Sequence, residues 1–254
     1  MFSGTFINML TVLIGSSIGI LAGNRLPEKM HQSVTSGLGL VTLIIGTQSA
    51  LGTGNIIVPL LSLVVGVIIG ELLDLDGALK RLGGWLQAKF VPAHADAADA
   101  RIQARLRFIN GFVTSTLVFC IGPLTIIGSM QSGMSGDSRL IIIKATLDFF
   151  ASMAFAASFG IGVAFSAAMI LVVQGGFVIF GALTAGALAG STATLYASPY
   201  IRELTASGGL ILLAIGLLLL DIKQLRVVNY LPALVIAPLL VALASLLHIA
   251  VYPV

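Results

Sequence analysis

Apolar stretches of about twenty residues follow one another along this chain, at 5–23, 34–51, 56–73, 108–128, 140–161, 167–189, 204–220 and 231–250. A helix of that length crosses a hydrocarbon core of roughly 30 Å, and helices satisfy their own backbone hydrogen bonds there. The expected fold is therefore all-α, a polytopic transmembrane helix bundle of about eight spans. The second and seventh stretches are the least apolar, with short centres at Leu38 to Ile45 and Leu210 to Leu220. Hydrophobic residues make up 57% of the chain, which leaves too little polar surface for a dissolved monomer.

Other classes find little support. No Lys or Arg precedes Arg25, so the first stretch lacks the basic leader of a secretory signal peptide and is expected to be retained. The single cysteine, Cys120, excludes an internal disulfide and cysteine-rich metal sites. His31, His94 and His248 lie far apart, and no phosphate-binding loop or dinucleotide fingerprint occurs. Neither a metal nor a cofactor is expected.

Lys and Arg favour the cytoplasmic side of short loops. With both termini placed outside, Arg25, Lys29, Lys80, Arg81, Lys89, Arg101, Arg105, Arg107, Lys223 and Arg226 all fall inside, and Arg139 and Arg202 fall outside. The chain is thus expected in a bacterial inner membrane, multi-pass, with both termini periplasmic. Insertion accounts for the net charge of +3, so no nucleic-acid partner is expected. The longest connection, 74–107, repeats Leu75, Leu79, Leu82, Leu86 and Phe90 at helical spacing, predicting an amphipathic helix on the inner membrane surface with Trp85 at headgroup level. The Ala-rich stretch from His94 to Arg107 reads as a cytoplasmic linker.

A faint internal repeat is present. Gly19 to Gly23 parallels Gly186 to Gly190, Gly39 to Gly46 parallels Gly209 to Gly216, and Pro59 parallels Pro232. The copies are five spans apart, an odd number, so spans 1–3 and 6–8 would cross in opposite directions as an inverted repeat. This divides the chain into a first three-helix repeat (1–73), the cytoplasmic helix and linker (74–107), central polar helices (108–162) and a second repeat (163–254). Small residues at four-residue spacing, such as Gly15, Gly19 and Gly23, also suit close helix packing, within the chain or in a homodimer.

The unusual chemistry lies in the centre. Asn110, Thr114, Ser115, Thr116, Cys120 and Thr125 make the fourth span polar, and Gly122-Pro123 is expected to break it, because proline removes a backbone donor and clashes with the preceding turn. Residues 128–137, rich in Gly and Ser, fit either an outer loop or a re-entrant segment. Lys144 and Asp148 stand one turn apart in the fifth span, with Asp148 near the midplane. A charge at that depth costs roughly 2.5–3.5 kcal/mol on the lenient insertion scale, which makes it a functional-site hypothesis by default. A snorkelling Lys144 that merely neutralises a structural Asp148 is the plainer alternative. Ser152 and Gln174 could supply neutral ligands.

Several longer motifs carry a resemblance. Cys120-Ile-Gly122, Gly128-Ser129, Gly136-Asp137, Lys144 with Leu147-Asp148, Gly160-Ile-Gly162-Val163, Gln174-Gly175 and Leu231-Pro-Ala-Leu234 make the chain similar to the bacterial inner-membrane family of unknown function represented by YqgA and YdfK. The resemblance implies an integral inner-membrane protein and a transporter-like role, and carries over no substrate or catalytic residue.

The expected function is secondary transport of a small solute or ion, coupled to a proton or monovalent cation, by alternating access around a midplane site. Asp148 would change state and Lys144 would act as its counter-charge. Alternatives are a channel or passive facilitator, and a non-transporting membrane scaffold. No enzymatic activity is expected, since Cys120 lacks a histidine at comparable depth and Asp148 a second carboxylate.

Overall fold

A helix surrounded by lipid turns its large apolar side chains outward and keeps its small and polar ones for neighbouring helices. The first helix does this along most of its length: α1 (Ser3–Gly23) buries Gly4, Thr5, Asn8, Gly15, Ser16 and Gly19, with Val12 among them, while Phe6, Ile7, Leu10 and Ile14 stand exposed. A computed structural model describes residues 2–23, 27–90, 98–184 and 198–248. After α1 come α2 (Glu28–Ala50), α3 (Ile57–Leu72), α4 (Leu75–Phe90), α5 (Ala98–Ile121), α6 (Pro123–Ser135), α7 (Arg139–Phe159), α8 (Gly162–Thr184), α9 (Pro199–Leu219), a 3₁₀ turn (Val227–Tyr230) and α10 (Ala233–Leu246).

Among the described residues, six helical segments are long and apolar enough to cross a membrane, or up to seven when α3 and α4, bent by 55° at their junction, count as one. This corrects the expected eight. The second stretch does become helix α2, but its apolar run covers only Leu38 to Ile45 and its first turns are polar. The third yields 16 residues of helix, about 24 Å at 1.5 Å per residue, short of a hydrocarbon core.

Two glycine seams set the packing. Along the first, α1 lies parallel to α7, and a Cβ on Gly15, Gly19 or Gly23 would collide with the carbonyl oxygen of Phe149, Met153 or Ala157 in turn. Glycine at this spacing brings the two backbones into direct van der Waals contact. Along the second, α2 runs antiparallel to α9: a Cβ on Gly46 would lie 2.9 Å from Gly209 O, and one on Gly216 would lie 3.1 Å from Gly39 O. The core between these pairs is aromatic and aliphatic, with Phe112, Phe119, Phe155, Ile170 and Ile211 fully enclosed.

The expected break occurs at Gly122-Pro123. Helix α5 ends at Ile121, Gly122 is extended (φ −63°, ψ 149°), and α6 begins at Pro123. Proline has no N–H for the carbonyl four residues earlier, that of Phe119, and the Thr125 hydroxyl donates to this oxygen at 2.9 Å instead. The Gly/Ser-rich segment that follows is helical to Ser135, so a plain loop is ruled out there. Gly136 closes it in the left-handed region (φ 75°), donating its N–H to Ser132 O.

Positive charge gathers at one end of the bundle. There Arg107 Nε donates to Ser158 O at the close of α7, Ser158 reaches His31 O in α2, Arg81 pairs with Asp74, and Arg226 pairs with Glu71 at the end of α3. Arg202 lies at the opposite end, its guanidinium on the carbonyls of Gly52 and Thr53. The expected amphipathic helix is α4, but its apolar face is not laid on a membrane surface: Leu75, Leu79 and Leu86 pack on the core, and Trp85 is exposed beneath the Lys89 ammonium. Arg25, His94 and the repeat block Gly186 to Gly190 lie outside the described residues.

Candidate functional site

Helix α7 presents one face inward at Ile141, Lys144, Ala145, Asp148 and Ser152, and turns Ile142, Ile143, Leu147 and Phe150 outward. The three- and four-residue spacing of the inward set places both charges on the buried face. Lys144 and Asp148 are 4% and 7% exposed, and the Lys144 ammonium is hydrogen-bonded to Asp148 Oδ2. A snorkelling Lys144 does not describe this geometry, since its ammonium turns inward to the carboxylate. At 1.5 Å per residue, Asp148 lies about 14 Å along a 21-residue helix, close to its middle.

The carboxylate has a second partner. Asn8 of α1, fully buried, donates Nδ2 to the same Asp148 oxygen at 2.9 Å. Asn8 is brought there by the parallel glycine seam, and its lone amide in an otherwise apolar span was the sequence signal that the motif reading passed over. Lys144 Nζ also sits 6.0 Å from the centroid of Phe119, the residue whose carbonyl the helix break frees. Cys120, next along α5, is buried. A span entered from one end, a charge pair and a broken helix therefore meet around Asp148.

Polar atoms without hydrogen-bond partners occur on the helices that pack here. Asn8 Oδ1, Thr5 Oγ1 and Ser16 Oγ on α1, Ser129 Oγ on α6 and both amide atoms of Gln174 on α8 are enclosed and unpaired. Helices α1, α6, α7 and α8 pack on one another, and Gly175, next to Gln174, lies against Phe2 at the start of α1. Buried polar atoms with no partner are uncommon in folded proteins and each calls for water, an ion or a changing partner. Thr5 and Asn8 carry no sequence motif, and Ser129 enters the sequence reading only through the Gly128-Ser129 motif.

The remaining sequence-selected residues divide. Ser152 is buried against Gly15 of α1 and donates to Phe149 O at 2.9 Å. Thr114 is buried within α5, two turns before the break. Asn110 is exposed near the basic end of α5, and the structure does not bring it to the charge pair.

A second buried carboxylate lies elsewhere. Glu203, at the start of the second turn of α9, is 0% exposed and accepts from the Thr53 hydroxyl at 2.6 Å and from Gly54 N at 2.8 Å. One turn on, Ser207 shares a 2.9 Å hydrogen bond with Ser62 of α3. This network ties the α2–α3 connection to α9. Sequence reading treated Arg202 only as a charge at an outer loop and passed over its neighbour.

Residues 3–242 match the family model described as a protein of unknown function, DUF554. The chain is 35% identical over 237 residues to the uncharacterized protein YqgA of Escherichia coli (strain K12), covering 93% of this chain and 95% of that protein. It is 26% identical over 242 residues to the uncharacterized membrane protein YdfK of Bacillus subtilis (strain 168), covering 94% and 95%. No solved structure matches the chain. With the family model matched across nearly the whole chain and apolar helices repeated along it, this is a multi-pass membrane protein belonging to the DUF554 family.

Proposed function

We propose that the protein is a secondary transporter of a small solute or ion, coupled to a proton or a monovalent cation through Asp148. One observation carries the reading: a buried carboxylate at the middle of a membrane-spanning helix, shared between the Lys144 ammonium and the Asn8 amide. Ionisable residues at that depth are costly to keep, and they mark ion and proton pathways in membrane proteins. Coupling follows from charge balance. A proton or cation arriving at Asp148 cancels the charge that holds Lys144, and the released ammonium must find another partner. Two charge states then favour two arrangements of the helices around them.

An inverted repeat fits the same reading. Setting 39–46 on 209–216 makes the Gly39 and Gly216 contact the image of the Gly46 and Gly209 contact, the reciprocity that a twofold axis between α2 and α9 requires. Transporters of this kind rock one repeat against the other around a central site. The basic end of the bundle, by the same charge bias, is the cytoplasmic one, which leaves both termini periplasmic.

The test is flux into proteoliposomes over a panel of small solutes, with and without an imposed pH or sodium gradient. Gradient-driven uptake present in the natural chain and absent in Asp148→Asn supports the proposal. Uptake that is indifferent to either gradient would make the protein a passive facilitator. Uptake that persists under a gradient in Asp148→Asn removes Asp148 from the coupling.

A further inference from the structure

The helices packed against α7 are α1, α2, α5, α6 and α8. Three of them, α1, α6 and α8, contain no Asp, Glu, Lys, Arg or His. The titratable residues of α2 (Glu28, Lys29 and His31) and those of α5 from Asp99 to Arg107 lie toward the basic end, where Arg107 meets Ser158 and Ser158 meets His31. Ser158 stands about 15 Å beyond Asp148 along α7. Arg139 opens the other end of that helix and pairs with Asp137. The remaining titratable side chain on these helices is Cys120. Among the described residues packed here, Lys144 and Asp148 are thus an isolated pair, with no second carboxylate at their depth.

That isolation decides what must accompany a proton. Once Asp148 is protonated, the Lys144 ammonium, 4% exposed, has lost its counter-charge, and an uncompensated buried charge is strongly destabilising. A metal cation at the site would deepen the imbalance, and a neutral solute would leave it. A monovalent anion removes it. The proton rests on an Asp148 carboxylate oxygen, the ammonium keeps its own protons, and the two arrivals together carry no net charge.

The neighbouring backbone favours the same sign. Helix α6 runs antiparallel to α7, with Ser132 Oγ 2.8 Å from Ser138 Oγ and a Cβ on Gly128 falling 3.3 Å from Ile141 N. One turn further along α7 is Lys144, and one turn back along α6 is its first turn, Pro123 to Thr125. That turn is held to Phe119 by the Thr125 hydroxyl, and the Phe119 ring lies 6.0 Å from Lys144 Nζ. A helix N-terminus carries partial positive charge, and half-helices that begin inside a membrane aim it at anionic groups. Asp148 is the resident anion of this place, which another can take when it is neutralised.

We propose that the solute carried with the proton is a small monovalent anion, held by Lys144 beside the first turn of α6 and moved with the proton in equal number. This rests on the transport reading above and names its substrate class.

For the test, the full chain is reconstituted in vesicles holding the pH dye pyranine, with potassium sulfate and equal pH on both sides. Potassium chloride, nitrate, methanesulfonate or lactate is then added outside. The expected result is acidification of the lumen by at least one of these anions beyond that of protein-free vesicles, equal with and without valinomycin. In detergent, the same anion should raise the melting temperature of the full chain, with an affinity that falls about tenfold per pH unit over part of the range from about pH 5 to 8. Lys144→Met with Asp148→Leu, which removes both charges together, should lose both responses. Acidification driven by a sodium sulfate or sorbitol gradient and by none of these anions overturns the inference and leaves coupling at Asp148 standing. No gradient-driven movement of any of these solutes overturns it together with the transport reading. An anion response that is indifferent to pH, or retained in the double variant, overturns the anion site alone.

Discussion

Asn8 and Lys144 donate to the same oxygen of Asp148, one from α1 and the other from a turn away on α7. The two donors are not equivalent. Lys144 balances the charge, whereas Asn8 fixes where the carboxylate points and ties two helices together at mid-depth.

Breaking the ion pair from one side should be far worse than removing it. Asp148→Asn leaves an uncompensated ammonium in a buried site, and losing one partner of such a pair costs about 3–5 kcal/mol. The double change Lys144→Met with Asp148→Leu should melt near the natural chain in a detergent thermal-shift measurement, while failing in gradient-driven flux. Full transport in that double variant would reduce the pair to a structural element.

Asn8→Leu tests the interhelical donor. Asp148 keeps Lys144 but loses a buried hydrogen bond, at a cost of about 1–3 kcal/mol in unfolding free energy. A melting curve unchanged by Asn8→Leu would mean that the amide adds nothing to the hold of α1 on α7.

The glycine seam makes a sharper stability prediction. Gly19→Ala drives a methyl into Met153 O and should prevent α1 from seating, seen as aggregation or loss of a monodisperse peak on size exclusion. Gly176→Ala is the control, because a Cβ there meets nothing within 4 Å. It should be tolerated, with a gain of up to about 1 kcal/mol from helix propensity.

At the helix break, Thr125→Val leaves the Phe119 carbonyl without a donor inside the protein, costing about 1–3 kcal/mol. Thr125→Ser keeps the hydroxyl and should retain most of the stability. A melting temperature for Thr125→Val equal to that of the natural chain would show that the hydroxyl does not hold the break.

Orientation can be read with an impermeant maleimide on intact cells, in a Cys120→Ser background. Cysteine at position 52, beside Arg202, should label from outside, and cysteine at position 81 only after permeabilisation. The reverse pattern would invert the proposed topology.

Local signals in the sequence carried well. The i, i+4 spacing of Lys144 and Asp148, the break at Gly122-Pro123 and the amphipathic face of α4 each depend on neighbours along the chain, and each is present in the structure. Partners distant in sequence did not: Asn8 meets Asp148 across 140 residues and Glu203 meets Thr53 across 150. Asn110 shows the opposite failure, being polar and in the right span yet on the wrong face of it. Residues 123–135 form a helix despite their Gly and Ser content because burial against α8 and α7 outweighs intrinsic propensity. The eight-span expectation failed where an apolar run was too short to say whether its helix crosses or bends.

The seam of Gly15, Gly19 and Gly23 also constrains motion. With carbonyls seated where side chains would otherwise be, α1 and α7 cannot slide past each other without a clash at every turn. They form a single stave, and Asn8, Lys144 and Asp148 ride on it together. The alternating access proposed above would therefore have to come from the staves around it, with the triad as the fixed point against which they turn.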